Sequence, residues 1–408
     1  MRFEEYLLED VLDIKYGKNQ KKVKDDNGPY PILGTGGLMG YATEYLYDKP
    51  SVLIGRKGSI SKVRYIDEPF WTVDTLFYTI VNEEIVYPKF IYYYLSQIDF
   101  NYYNEGTTIP SLRTQTLNQI ILNLPDLKYQ AKILKMVNPI EERIELNNSI
   151  ISNLEELAQT LFKRWFVDFE FPNEEGKPYK SSGGKMVESE LGMIPEGWGI
   201  GHFGELYSVK SGYAFKSSWW SEAGVPVIKI KDIENNTINK DDLSFVDFEK
   251  RDLASNFKVN SGDILIALTG ATAGKFALIP KFDIDLLVNQ RVGKFYYNDD
   301  NLSVSHSAYL FGLLLQKKFV NRIIDLGSGS AQSNISPTNI AKMKVVLPDK
   351  RYFNMFNAEF SGLIKFITEL SYENEKLIDI RDTLLPKLLS GEIELPDDME
   401  VTEDVQIS

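Results

Sequence analysis

The sequence predicts an α+β protein: two mixed α/β globular parts separated by two long antiparallel coiled-coil helices, related by an internal pseudo-twofold repeat. Three observations carry this expectation. Ser111-Leu112…Leu117…Leu124-Pro125-Asp126 recurs as Asn334-Ile335…Ile340…Leu347-Pro348-Asp349, which places position 125 on position 348, an offset of 223. The offset holds without a gap through a long periodic segment, so that Leu154 falls on Leu377, Thr160 on Thr383 and Leu161 on Leu384. Within that segment the apolar residues are spaced 4-3-4-3, which is the a/d seam of a coiled coil. Two copies of a globular part followed by a long helix give one polypeptide the symmetry of a dimer, a geometry suited to measuring two targets at a fixed distance.

The first globular part is read over residues 1–127. Its strands are β-branched and aromatic runs: Tyr30–Leu33, Ser51–Ile54, Trp71–Val81 and Ile120–Leu124. Glycines punctuate it at Gly34, Gly36, Gly37, Gly40, Gly55 and Gly58, and Lys89–Gln97 reads as a short helix. The first long helix covers 128–166, with the seam Ile133, Val137, Ile140, Ile144, Asn147, Ile151, Leu154, Ala158, Leu161 and Trp165. Pro139 interrupts it and predicts a kink or a late start. Val167–Phe171 alternates apolar and acidic residues and reads as a short strand. The segment 167–201, rich in Gly, Pro, Ser and Lys, reads as a linker.

The second globular part is read over 202–350. Gly17 aligns with Gly212, an offset of 195, so the later offset of 223 leaves 28 extra residues in this copy, expected mostly within 219–260. The second long helix covers 351–391, with the seam Phe356, Phe360, Leu363, Ile367, Leu370, Asn374, Leu377, Arg381, Leu384 and Leu388. Pro386 lies near its end and Gly391 suits a C-terminal cap. An acidic C-terminal tail, 392–408, follows. Each helix should be roughly 50 Å long at ~1.5 Å per residue. Each seam holds one Asn near its middle, a residue that costs stability when buried but fixes register through its need for a polar partner. The two seams are expected to pack on each other, with one globular part at each end. The other arrangement, each helix on its own globular part, fits the ungapped shared seam less well.

Composition narrows the chemistry. With 408 residues, 43% hydrophobic and 25% charged, the chain has the length and balance of a multidomain globular protein. No apolar run approaches the ~18–20 residues of a membrane span, and Met1-Arg2-Phe3-Glu4-Glu5 does not begin a signal peptide. There is no cysteine, and His202 and His306 stand alone, so neither a disulfide framework nor a thiolate metal site is available. An intracellular, cytoplasmic protein without a metal of its own is the expectation. The formal charge of −13 weighs against nucleic acid, but acid is concentrated in the middle segment and the C-terminal residues. Lys15, Lys18, Lys21, Lys22 and Lys24 form a local basic run, which on charge alone reads as a solvated loop, although a local basic face is compatible with an acidic whole.

Catalytic motifs fail on inspection. Gly270-Ala271-Thr272-Ala273-Gly274-Lys275-Phe276 has three residues between its glycines where a P-loop needs four, and no hydroxyl follows the lysine. Gly34-Thr35-Gly36-Gly37 lacks a dinucleotide fingerprint and reads as a tight turn. No Pro-Pro pair exists to build an Asn-Pro-Pro-Tyr methyltransferase element. Two isolated histidines do not suggest a nucleophile–base pair. The tyrosines of Tyr92–Tyr94 and Tyr102–Tyr103 are expected to pack a helix on a sheet rather than to stack bases. The glycine-rich turn at 270–276 does have a counterpart in the first copy, Gly55-Arg56-Lys57-Gly58-Ser59-Ile60-Ser61-Lys62. A polar, backbone-exposing turn repeated after an apolar strand suits contact with phosphates and base edges.

At this point the chain resembles, over essentially its whole length, the specificity subunits of type I restriction–modification systems. The resemblance rests on Leu161-Phe162-Lys163-Arg164-Trp165-Phe166-Val167-Asp168-Phe169, on the run Tyr179–Val187, and on Ser189–Trp198. Gly106–Leu112 and Leu384–Ile393 also fit, while Tyr129-Gln130 departs from the more usual Glu-Gln. It implies that each globular part is a target recognition domain for half of a split double-stranded DNA site and that the helices are a spacer. Two modification subunits would dock on those helices, and two restriction subunits would complete the complex. S-adenosylmethionine, ATP and Mg²⁺ would belong to those partners, with no cofactor, catalytic residue or metal in this chain and no role at a membrane. The expected DNA-binding residues are Lys18, Lys21, Lys22, Arg56, Lys57, Ser59, Thr107, Thr108 and Arg113 in the first domain. In the second they are Lys210, Ser211, Tyr213, Lys216, Lys229, Lys231, Thr269, Thr272, Lys275, Arg291, Ser328 and Gln332. Binding by this chain alone is expected to be weak and strongly salt-dependent. A coiled-coil scaffold without sequence-specific DNA binding is the alternative.

Overall fold

The computed structural model describes residues 3–298, 306–327, 334–396 and 399. The chain forms two compact units, one built from residues up to Arg143 and from Leu377 onward, the other from Ile144–Lys376.

In the first unit, Leu12–Tyr16, Leu76–Val81, Ser51–Gly55 and Val63–Ile66 form an antiparallel sheet in that spatial order. Ser51–Gly55 is an inner strand and every residue of it is buried, as its unbroken Val-Leu-Ile run demands. A smaller sheet carries Gly37–Ala42, Tyr30–Gly34 and Trp71–Thr72, the last pairing parallel. Trp71–Val81 is therefore not one strand. It breaks at Val73–Thr75 and passes from one sheet to the other. Phe3–Leu7 pairs with Ile121–Pro125, and Pro88–Ser96 is the short helix the sequence predicts. The core gathers Val52, Ile54, Phe77, Phe90, Ile133 and Val137 with Leu385, Leu388, Leu389 and Leu395.

The second unit repeats the plan. Tyr207–Ser211, Val292–Tyr297, Ile264–Ala267 and Phe276–Leu278 follow the same order, and a second sheet again ends in a parallel pair, Val225–Ile228 with Leu287–Val288. The parallel pairs fix the alignment, since Leu33↔Thr72 becomes Ile228↔Val288. The offset is 195 at Leu33 and Ile228, 212 at Gly55 and Ala267, 216 at Leu76 and Val292, and 223 from Thr114 and Pro337 onward. The largest step does fall in the expected region, but the remainder is spread over two later loops.

Both long helices start on an aspartate cap. Leu127–Phe162 begins after Asp126, whose Oδ1 accepts the Tyr129 N–H at 2.8 Å. Lys350–Leu389 begins after Asp349, whose Oδ1 accepts the Arg351 N–H at 2.8 Å. The repeated Leu-Pro-Asp is thus a strand end followed by a helix cap. Pro139 lies within the continuous helix and does not delay its start, and Gly391, at φ 75°, follows the end of the second. Every predicted seam residue is buried or half-buried. In the second unit Asn147 donates to Asn374 (2.9 Å), Asn374 donates to Asn148 (2.8 Å), and Trp165 packs on Phe356 and Phe360. The two helical stretches of that unit therefore run antiparallel. In the first unit Arg381 donates to Glu141 at 2.8 Å.

Two readings of the segment after the first helix need correction. Val167–Phe171 is not a strand: a widened π-turn at Lys163–Val167 ends the helix, and Phe169 adopts a left-handed φ of 59°. The alternation arises because Trp165, Phe166, Phe169 and Phe171 all turn into the core. The segment read as a linker is folded. Phe171 stacks on Tyr179 and Trp198, and Met186–Ser189 forms a hairpin with Gly192–Pro195. Residues 392–396 do not trail away either. The Tyr129 hydroxyl donates to the Ile393 carbonyl and accepts the Leu395 N–H, while Lys132 reaches the Pro396 carbonyl. Asp397, Asp398, Glu400, Glu403 and Asp404 of the predicted tail lie outside the described residues.

Candidate nucleic-acid interface

In each unit one end of the main sheet is built by the same four pieces. In the first, the strand Leu12–Tyr16 exits at Gly17, Ser51–Gly55 exits at Arg56, and Leu76–Val81 enters after the break at Val73–Thr75. Arg56 donates its N–H to the Thr75 carbonyl and accepts the Leu112 N–H, both at 2.9 Å, and Lys57 bridges to Ser111. In the second unit Leu268 donates to Arg291 at 2.9 Å and accepts from Ile335 at 2.7 Å, and Thr269 bridges to Asn334. Gly58 and Gly270 turn the two loops with φ of 85° and 78°. Gly17 and Gly212 press against the carbonyls of Thr72 and Val73 and of Val288 and Asn289, where no Cβ would fit. The repeated glycine turn of the sequence is thus a clamped loop held at the same sheet end twice.

The first unit brings Lys18, Arg56, Lys57, Ser59, Thr107 and Thr108 to this end. Arg56 is half-buried and the other five are exposed. Among the described residues Lys18, Arg56 and Lys57 have no carboxylate within ion-pair distance, unlike Lys15, which holds Asp13 at 2.7 Å. Arg113 lies beside the group but is engaged by Glu105 at 3.0 Å. Lys21 and Lys22 stand apart, on a turn that leads into the smaller sheet. Lys18, Arg56 and Lys57 thus form a local cationic cluster on a chain of formal charge −13, with the exposed Asp74 beside it.

The second unit is less uniform. Thr269, Thr272, Lys275 and Arg291 lie on the clamped loop and its neighbour, with Lys275 and Arg291 exposed and the two threonine hydroxyls buried without partners among the described residues. Ser211 and Tyr213 flank Gly212, and Tyr213 stacks on Trp219. Lys216 and Lys229 lie over Trp219 and Trp220. Burial pulls the Lys229 ammonium below its ordinary pKa against the opposing pull of Asp232. Lys231 is occupied by Asp242 (2.7 Å) and Asp232 (3.1 Å), whose hydrogen bonds outweigh burial and raise its pKa. Lys210 turns over Tyr296 into a cavity of about 360 Å³ shared with Lys294 and Asn256. Ser328 and Gln332 lie outside the described residues.

Two side chains join the constellation that sequence reasoning passed over. Tyr16 underlies Arg56, its ring centroid 5.0 Å from the guanidinium carbon. Lys62 is the counterpart of Lys275 once the hairpins are matched through Ile54↔Val63 and Ile266↔Phe276 rather than through their glycines. That register was invisible without the pairing. Tyr93 is buried as expected of a packing residue, whereas Tyr102 is 84% exposed and packs no helix.

The comparisons agree with this architecture. The sequence profile described as the type I restriction modification DNA specificity domain matches residues 2–156 and 195–357, one match in each copy. The chain belongs to that family. It is 25% identical over 386 residues to the type I restriction enzyme HindI specificity subunit of Haemophilus influenzae, covering 79% of this chain and 81% of that one. The MjaVIII specificity subunit of Methanocaldococcus jannaschii is 24% identical over 398 residues, covering 93% and 91%. In fold, the crystal structure of the type I restriction–modification S subunit from M. genitalium superimposes with a TM-score of 0.59 at 18% identity, over 95% of this chain and 96% of that one. Among the described residues no helix is long and apolar enough to cross a membrane.

Proposed function

We propose that this specificity subunit reads a two-part DNA site, one part with the clamped-loop end of each unit, and that the paired helices act as a coiled-coil spacer between the two readings. The observation that carries this is the duplicated loop clamp bearing cations that hold no carboxylate among the described residues, with hydroxyls beside them. Lysines and arginines without carboxylate partners suit phosphate contact, and a rigidly held loop suits base readout. A scaffold alone would have no need to build the same cation-bearing loop twice.

In this reading the chain does no chemistry and takes no cofactor. Modification and restriction subunits, two of each, bring S-adenosylmethionine, ATP and Mg²⁺. The helices offer apolar side chains to such partners: Leu146, Leu157 and Phe366 in the second unit and Ile378 and Ile380 in the first are exposed. The test is methylome sequencing of a strain carrying this chain with its modification subunits. A split methylated motif that vanishes when this chain is deleted supports the proposal. A motif unaffected by the deletion, or one without an unread gap, defeats it.

A further inference from the structure

The cations at the first unit's sheet end are not equivalent. Lys18 and Lys57 are exposed side chains on flexible stems, which suits contact with phosphate. Arg56 is different. Its backbone is fixed on both sides, by the Thr75 carbonyl and the Leu112 N–H, each at 2.9 Å. Its Nη1 donates to the Asp74 carbonyl at 2.8 Å. Its guanidinium lies over Tyr16, whose ring is set edge-on against the fully buried Phe77 with centroids 5.0 Å apart. No carboxylate pairs with it among the described residues, so most of its five N–H donors remain available. The planar fork is thus held from behind, at the root of the loop, before any ligand arrives.

Resting on the reading of the chain as a DNA specificity subunit, we infer that Arg56 determines base identity at one position of the first part of the site, and that the base is guanine. A guanidinium fork matches the O6 and N7 acceptors of guanine through two parallel hydrogen bonds; a phosphate can take the same fork, but the mobile Lys18 and Lys57 already suit phosphate, so the one cation fixed from behind is assigned to the base edge. Anchoring by Tyr16 and Asp74 lowers the entropy lost on making that pair. The second unit cannot use the same device. The matching residue is Leu268, 3% exposed, so its readout falls to other side chains. The two units share the backbone frame at this position and differ in the side chain it carries.

The test uses the complete complex with modification subunits and measures methylation across substrates randomised at each position of both parts of the site. The wild-type complex should require guanine at one position of the first part. Arg56→Ala should relax that position alone, with discrimination there falling about tenfold to a hundredfold and the second part still read. Arg56→Lys should relax it too, because an ammonium keeps the charge but not the fork. Lys57→Ala should lower methylation on all sequences alike. Selectivity left unchanged in Arg56→Ala, or a uniform loss across all sequences, overturns the assignment of Arg56 while leaving the specificity reading intact. A wild-type complex with no two-part preference overturns both.

Discussion

At Gly17 an added methyl group would sit 2.1 Å from the Val73 carbonyl oxygen, and at Gly212 it would sit 2.2 Å from the Val288 oxygen. Both neighbours are backbone, so neither can swing away. Gly17→Ala and Gly212→Ala should each destabilise the unit that holds them by about 1–3 kcal/mol or more, read as a lower urea midpoint, and a wild-type midpoint would show that the strand exits can shift. Close backbone approach is what lets Lys18 and Tyr213 leave the strand against the sheet break. Single residues also tie distant segments together. Tyr129 uses its hydroxyl to hold Ile393 and Leu395. The adjacent Gln130 is fully buried and donates to the Ile85 and Pro125 carbonyls while accepting the Tyr87 N–H. Such roles are not legible in sequence, because they depend on partners up to 266 positions away.

Among elements, the helices are the most legible and their joints the least. A heptad seam and a Pro-Asp cap are local signals, so the helix starts at Leu127 and Lys350 stand at the repeat's own offset. Asn147 and Asn374 illustrate what a seam asparagine does. They bond across the second unit's helix pair, and Asn147 leaves one buried oxygen without a partner. Asn147→Ala should lower stability by about 1–3 kcal/mol, since it takes the donor from the buried Asn374 Oδ1. The double replacement by Leu should be as stable as wild type or more so, while losing the polar contact that selects one register. Thermal unfolding of both variants checks this, and an Asn147→Ala protein as stable as wild type would deny the pair any structural weight. Joints deceive because patterns mimic one another. The alternation at Val167–Phe171 looks like a strand but comes from a widened turn, and the apolar run Trp71–Val81 hides the break that anchors Arg56. The candidate loops themselves were legible as a repeated glycine turn, but the positive φ at Gly58 and Gly270 and the clamp around them needed coordinates.

For the whole molecule, the repeat of topology is the fact that matters. If each unit reads its own part of a DNA site, two units of one plan with different loops let either reading change without disturbing the other. If the helices act as a spacer, their length is a functional variable. Adding one heptad to each, ~10 Å of helix, should lengthen the unread gap in the methylated motif. Methylome sequencing of the lengthened protein would show it, and a gap of unchanged length would remove the spacer from the mechanism. The first unit is also discontinuous in the chain: its core needs Leu385, Leu388, Leu389 and Leu395 from beyond the second unit. A ribosome making this protein therefore leaves the first unit's core without those four leucines while it translates Ile144–Lys376. At the usual pace of synthesis that interval is on the order of ten to fifty seconds. Throughout it the nascent chain carries an unfinished apolar surface, a window in which chaperones, rather than the native partners, have first access to it.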